Sequence, residues 1–486
     1  MRHTLAVAII AAAAVVTAGP VAAASARTNA PTPTPAPAVH ASVISPTPSH
    51  VESSVAAKAL SGGAYMPKDI FPGNQSGISG TTGFTKLGGS VLFAGVAQAT
   101  GQELWKTSGT AASTVLVKDI NPGGSWSGPL NFVVMGKYAY FEAVTSTDGS
   151  ELWRTNGTAA GTTEIRDINP GTNAGVNTQL LVVGSRLYFM ANDNVHGLEL
   201  WTSDGTSAGT EELADVYPGT TSGGTSAHMV AVGSTVYFDG VDAAHGIEPW
   251  ETRGTVGSTQ MVADLNSGAS SSSPSDYTVF NGEVYFAAST ATTGNELFVI
   301  DGSNVQLMAD IRPGTGNSAP TNLTATSKYL FFVASDGTNG NELWRTDGEF
   351  GSTKLVGDIN ASGDSSPNYL TVIGSTVYFA ANDGSHPNTL WKSDGQTVTA
   401  VKDIDPLSSF TIGNLYASGS KLFFSGGDGS AGAQLWVSGG TSATTKLAAI
   451  LSPDPASPNG MFASGGKLYF SAFTTAFGEE MWVYKY

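Results

Sequence analysis

The sequence predicts an all-β fold, a β-propeller of about nine four-stranded blades closed by an N-terminal strand. Three observations carry that reading. The octapeptide ELWRTNGT at 151–158 returns in variant form every 45 to 49 residues, with its tryptophan position reading Trp105, Trp153, Trp201, Trp250, Phe298, Trp344, Trp391, Trp436 and Trp482. Each unit holds four short strand-like runs without helical periodicity, which is the pattern of propeller blades. The last unit ends after its third run, whereas a lone fourth run, YMPKDI at 65–70, stands ahead of the first unit. Joined, the two make one blade and remove two open sheet edges. Nine blades exceed the usual range of roughly four to eight, and the alternatives are a spiral, two subrings or a shorter-period solenoid.

Taken in order, the chain of 486 residues opens with a basic start at Arg2 and His3, an apolar run from Leu5 to Val16, and small residues Ala24, Ser25 and Ala26. This layout predicts a secretory signal peptide over 1–26, hence a secreted or cell-surface protein with no membrane span in the mature chain. Residues 27–64 are rich in Pro, Thr and Ala, a composition that favours an extended linker. The repeat domain then covers 65–486. Cysteine is absent, which excludes a disulfide framework and a thiol nucleophile. A net charge of −17, from 22 Lys+Arg against 39 Asp+Glu, argues against nucleic acid as a partner.

Within a unit, 131–135 forms a first apolar run and 138–143 a second. The second carries adjacent aromatics such as Tyr188-Phe189, Tyr285-Phe286 and Phe423-Phe424. Adjacent residues of a strand face opposite ways, so both faces of each sheet must be covered. The third run is Glu-Leu-Trp-Arg at 151–154 and the fourth is 164–168. Between them, Asn156-Gly157 and its counterparts Asp204-Gly205, Asp301-Gly302, Asp347-Gly348 and Asp394-Gly395 predict a tight reversal with positive φ. An Asp-Ile-Asn-Pro-Gly stretch at 119 and again at 167 follows the fourth run and should lead the chain out of the sheet.

These units resemble the bacterial ELWxxDGT repeat family. The match spans about 65–486 and rests on ELWKTSGT at 103, ELWRTNGT at 151, ELWTSDGT at 199 and ELWRTDGE at 342. EPWETRGT at 248, ELFVIDGS at 296, TLWKSDGQ at 389, and Ala449 in place of the Asp depart from it. The resemblance implies an exported repeat protein at or beyond the cell surface.

In a propeller, the loops from second to third strand and from fourth to first strand share one rim, where ligands usually bind. Candidate ligand-binding residues on that rim are Trp126, Asp193, His196, Asp242, His245, Asp336, Asp383 and His386. Glu at the head of the third run and Asp at the end of the fourth should be neighbours. The pairs Glu103 and Asp119, Glu151 and Asp167, Glu199 and Asp215, and Glu342 and Asp358 are therefore candidate calcium ligands. The alternative is that each Asp accepts amide hydrogen bonds from its own turn while each Glu caps the adjacent loop. The three rim histidines lie in separate blades and read as turn residues rather than a shared zinc site.

No catalytic motif stands out, since residues repeated at identical positions argue for architecture. The expected function is an exported, non-catalytic, monomeric scaffold that recognises a carbohydrate or a cell-surface protein. A secreted glycan-active hydrolase and a structural coat or matrix component are the alternatives.

Overall fold

The computed structural model describes residues 63–79, 83–176, 178–225, 229–302, 304–386, 389–405, 411–427, 432–452 and 455–486. The signal peptide expected over 1–26 and nearly all of the linker expected over 27–64 lie outside the described residues. What is described belongs to one compact unit, Val55–Tyr486.

Nine antiparallel four-stranded sheets form a closed ring, a nine-bladed β-propeller. Blade 2 shows the pattern, with strands Leu130–Met135, Tyr138–Thr145, Gly149–Thr155 and Thr163–Arg166. First strands of neighbouring blades lie against one another, so they are innermost and the fourth strands outermost. The ring closes as the sequence predicts. Ala64–Tyr65 pairs with Gly478–Lys485, Ala64 opposite Tyr484 and Tyr65 opposite Val483, and supplies the outermost strand of blade 9. This strand is shorter than the run at 65–70, because Pro67 has no N–H to continue the ladder.

The paired aromatics of the second strands explain how the blades stack. In blade 2, Phe141 packs with Leu92 and Leu104 of blade 1, while Tyr140 packs with Leu187, Phe189 and Trp201 of blade 3. Both are buried, so the blade presents one aromatic to each neighbour; blade 1 instead turns Leu92 toward blade 2 and Phe93 toward blade 9. A second device ties blades together at the outer edge. Lys118 ends the fourth strand of blade 1, donates to the carbonyl of Thr162 at 2.8 Å, and lies over the Trp153 ring of blade 2. Lys68 and Lys402 do the same toward Thr114 and Trp105 and toward Thr445 and Trp436. Arg166 serves Thr210 and Trp201 likewise. Trp105, Trp153, Trp201 and Trp436 are thus wedges between blades, each cation over a ring adding about 0.5–1 kcal/mol.

Two local features differ from the expectation or were not foreseen. The reversal between third and fourth strands is the expected tight one in blade 5, where Asp301 stands opposite Asn304 and Gly302 has φ +63°, but it is wider in blade 2. In blade 2 the loop runs from Thr155 to Thr163, with Gly157 at φ +83°. It is closed by the Thr155–Thr162 hydroxyl pair at 2.7 Å and by Thr158 N–H donating to Asn156 Oδ1. The innermost strands also carry a bulge with a left-handed residue that is not glycine. Asn131, Asp276, Asn322, Tyr369 and Asn414 have φ of +54° to +57°, at or beside a register shift. The Asn131 amide donates to Glu142 of its own blade and to the Thr178 carbonyl at the next, which offsets the backbone cost.

Candidate functional site

The repeated Glu heads the third strand, where its side chain points into the sheet interface beneath the loop leaving the fourth strand. Glu103, Glu151, Glu199, Glu248, Glu296, Glu342 and Glu480 are all fully buried. Each carboxylate accepts backbone N–H groups of that loop. Glu103 takes Ile120 at 2.6 Å and Ser127 at 3.2 Å, Glu151 takes Ile168 and Asn169, and Glu199 takes Val216 and Gly223. The loop is an irregular segment whose amides have no ladder partner, and the Glu satisfies them. Blade 8 does the job with Gln434, whose Oε1 accepts from Leu451 and whose Nε2 donates to the Ser452 carbonyl.

A residue farther along the same loop tunes this cap. In blades 1, 4, 5 and 6 it is Ser127, Ser272, Ser318 or Ser365, and its hydroxyl donates to the Glu at 2.6 Å. In blades 2, 3 and 9 it is Gly175, Gly223 or Gly77, where any Cβ would collide with the carboxylate of Glu151, Glu199 or Glu480. Burial raises the carboxyls of Glu103, Glu296 and Glu342 even with the serine donor opposing it, and the rise is large where that donor is missing. The carboxyls of Glu151 and Glu199 are pushed up to about 7 and that of Glu480 to about 8. Burial likewise pushes Glu142 and Asp239, on second strands, up to about 7.

A carboxyl whose pKa rises on folding holds its proton more tightly in the folded chain than in the unfolded one. Between the unfolded value near 4.5 and about 8 the folded chain therefore carries more protons, and its stability falls as pH rises. The melting temperature is expected to be higher at pH 5 than at pH 8, as followed by circular dichroism, and a rise across that window would contradict the assignment.

The Asp residues proposed with these Glu as calcium ligands lie one position before a capped amide. Asp119 precedes Ile120, Asp167 precedes Ile168, Asp215 precedes Val216, and Asp358 precedes Ile359, each of whose N–H groups goes to the blade's Glu. Turn bonds of the expected kind form at Asp264, which accepts from Gly268 at 3.2 Å, and at Asp69, which accepts from Gly73. Asp119 and Asp167 each keep one buried oxygen with no protein donor. The Glu oxygens, however, are engaged by loop donors. Calcium takes six to eight oxygens, whereas the Glu of each pair already spends its carboxylate on loop donors.

The second-to-third loops form the rim as expected. In blade 3, Asp193 Oδ1 accepts from the N–H of Val195 and His196, both at 2.8 Å, and Oδ2 lies 2.8 Å from His196 Nδ1. Blade 4 repeats this with Asp242 and His245, and blade 7 with Asp383 and His386. In blade 6, Asn339 takes the place of the histidine against Asp336. Hydrogen bonding to its Asp raises the pKa of each histidine. The loops are thus self-closed Asx turns spaced around the rim, and their histidines do not converge.

Trp126 sits elsewhere on the same rim, in the loop joining blades 1 and 2, and is 61% exposed. Its indole lies over Gly101, which has φ +73° and where a side chain would strike the ring. With Phe71, Gln75, Ser76, Ile78, Val96 and Glu479, it lines a rim cavity of about 410 Å³ at the closure between blades 9 and 1. An exposed ring beside amide, hydroxyl and carboxylate groups is the arrangement that stacks on a sugar or a partner's side chain. Larger cavities of about 520 and 470 Å³ lie along the innermost strands, around Asn131 and Gln179 and around Asp276 and Asn368.

Sequence reasoning placed Trp126 and the loop acids on the rim but passed over Gln75, Glu479 and two acids of the fourth strands, Glu164 and Glu212. The fourth-strand position facing the repeated tryptophan is Leu116, Met261, Leu307, Leu355, Ala400 or Leu447 in six other blades. Aligning those strands would have exposed the two acids as departures.

Fold and site thus define a nine-bladed propeller with one polar, acidic rim. The chain matches no protein-family model and no curated protein. Among solved structures it is similar to a puromycin hydrolase, at 10% identity over 71% of this chain and 58% of that one, with a TM-score of 0.38. It is similar to a prolyl endopeptidase at 10% identity over 71% and 54%, with a TM-score of 0.42. The β-propeller domain of the Trilobed protease from Pyrococcus furiosus aligns at 9% identity over 76% of this chain and 98% of that domain, with a TM-score of 0.37. The chain therefore spans little more than half of each of the two enzymes. No helix among the described residues is long and apolar enough to cross a membrane.

Proposed function

We propose that this chain is an exported binding scaffold of the ELWxxDGT repeat kind, which recognises a carbohydrate or a cell-surface protein through the rim around Trp126. The observation that carries the proposal is the exposed indole of Trp126 beside a polar cavity at the ring closure. It is supported by the engagement of the repeated Glu residues in capping buried amides, which gives the recurrent motif an architectural task. The motif builds the wheel, and the non-repeated Trp126 supplies the contact. Export rests on the layout of residues 1–26.

The test is a glycan array followed by titration of the retained sugar, read by tryptophan fluorescence. Trp126→Ala is expected to weaken binding by roughly 30-fold, the scale on which an exposed aromatic anchor acts, with unchanged circular dichroism. Binding that Trp126→Ala leaves intact, or turnover of the bound glycan, would contradict the proposal.

A further inference from the structure

We propose that the rim of blade 3 binds one zinc-class divalent cation through Asp193 Oδ2, His196 Nδ1 and Glu212 Oε2. Asp193 and His196 come from the second-to-third loop and Glu212 from the outermost strand, Thr210–Ala214. His196 Nδ1 lies 2.8 Å from the Asp193 oxygen and 2.8 Å from the Glu212 oxygen. A single N–H cannot point straight at both. The three ligand atoms lie within 4.8 Å of one another; a tetrahedral zinc about 2.0–2.2 Å from each would set them about 3.3–3.6 Å apart, which these partly exposed side chains reach by opening about half an ångström. Among the described residues this is the one place where three such ligand atoms converge.

The fold itself provides comparisons. Blades 4 and 7 have the same Asp–His pair, but Met261 and Ala400 stand where blade 3 has Glu212, so they lack the third ligand. Blade 2 has the acid, Glu164, but Asp148 instead of the histidine. An aliphatic residue or methionine fills this position in six other blades, so the acid at Glu212 is a departure from the repeat. Asp193 is held in advance by the two loop amides on its other oxygen, a supporting shell of the kind that orients metal ligands.

One imidazole with two carboxylates suits zinc and its neighbours in the transition series better than calcium. The His196 side chain is 39% exposed. Three protein ligands therefore leave coordination positions facing solvent, open to water or to a carboxylate or imidazole of a partner. This inference does not depend on sugar binding at Trp126.

The test is zinc titration of the chelator-stripped full chain in competition with a chromophoric chelator. One equivalent is expected to bind. Glu212→Leu, which installs the residue several blades carry, and His196→Asn are each expected to weaken binding by about 100-fold, the upper end of what even supporting-shell changes produce. His245→Asn in blade 4 should leave the affinity unchanged. Failure of the wild-type chain to take up zinc, or uptake that survives both blade 3 substitutions, would overturn the proposal.

Discussion

Removal of residues 63–71, measured against a chain that begins at Gly63, is expected to destabilise the propeller by about 5 kcal/mol and to promote self-association. The segment contributes to both neighbours of the closing blade. Ala64 and Met66 pack with Leu435 and Leu451 of blade 8, while Ile70 packs with Phe93 and Trp105 of blade 1. Burying one Met and one Ile contributes about 1.5–3 kcal/mol each. Tyr65 also donates to the Gly109 carbonyl at 2.8 Å and Lys68 to that of Thr114, so two further inter-blade bonds are lost. The exposed edge of Gly478–Lys485 would then be free to pair with another chain. Urea unfolding and sedimentation check this, and an unchanged midpoint with a monomeric chain would refute it.

Glu480→Ala is expected to cost about 3 kcal/mol by urea unfolding, because it leaves the buried amide of Ile70 and the part-buried amide of Phe71 unpaired. Glu480→Gln should cost only about 1 kcal/mol, since a glutamine oxygen can accept one of those bonds and Gln434 already serves as the cap of blade 8. The glutamine should also flatten the fall of stability between pH 5 and pH 8, because it removes the carboxyl raised to about 8. Equal losses for Ala and Gln would mean that the side chain acts through packing rather than through its acceptors.

Much of the fold was legible because its constraints recur in register. A large aromatic every 45 to 49 residues, tryptophan at all but Phe298, and the aromatics between them demand that both faces of the sheets be covered. The orphan run at the front and the missing run at the end could be counted. The chemistry was less legible because the partners are remote or carry no label. Glu103 meets amides 17 and 24 residues away, and an amide looks the same in any sequence. The exchange of Ser127 for Gly175 becomes meaningful only once the carboxylate is seen to fill the space. The bulge at Asn131 follows from a register shift, which local propensity does not encode. Glu212 was hidden for a different reason. It lies 16 residues from His196 in the chain and meets it only because the third and fourth strands fold back together.

The closed ring is what sets these loops around one rim, and it can be measured directly. The chain has no cysteine, so Ala64→Cys with Tyr484→Cys introduces a single pair at positions that face each other across antiparallel strands, within reach of a disulfide. Oxidation is predicted to give an intramolecular crosslink in the monomer, with faster migration on a non-reducing gel. A pair that stays reduced, or one that links only separate chains, would contradict a wheel whose first and last strands share a blade.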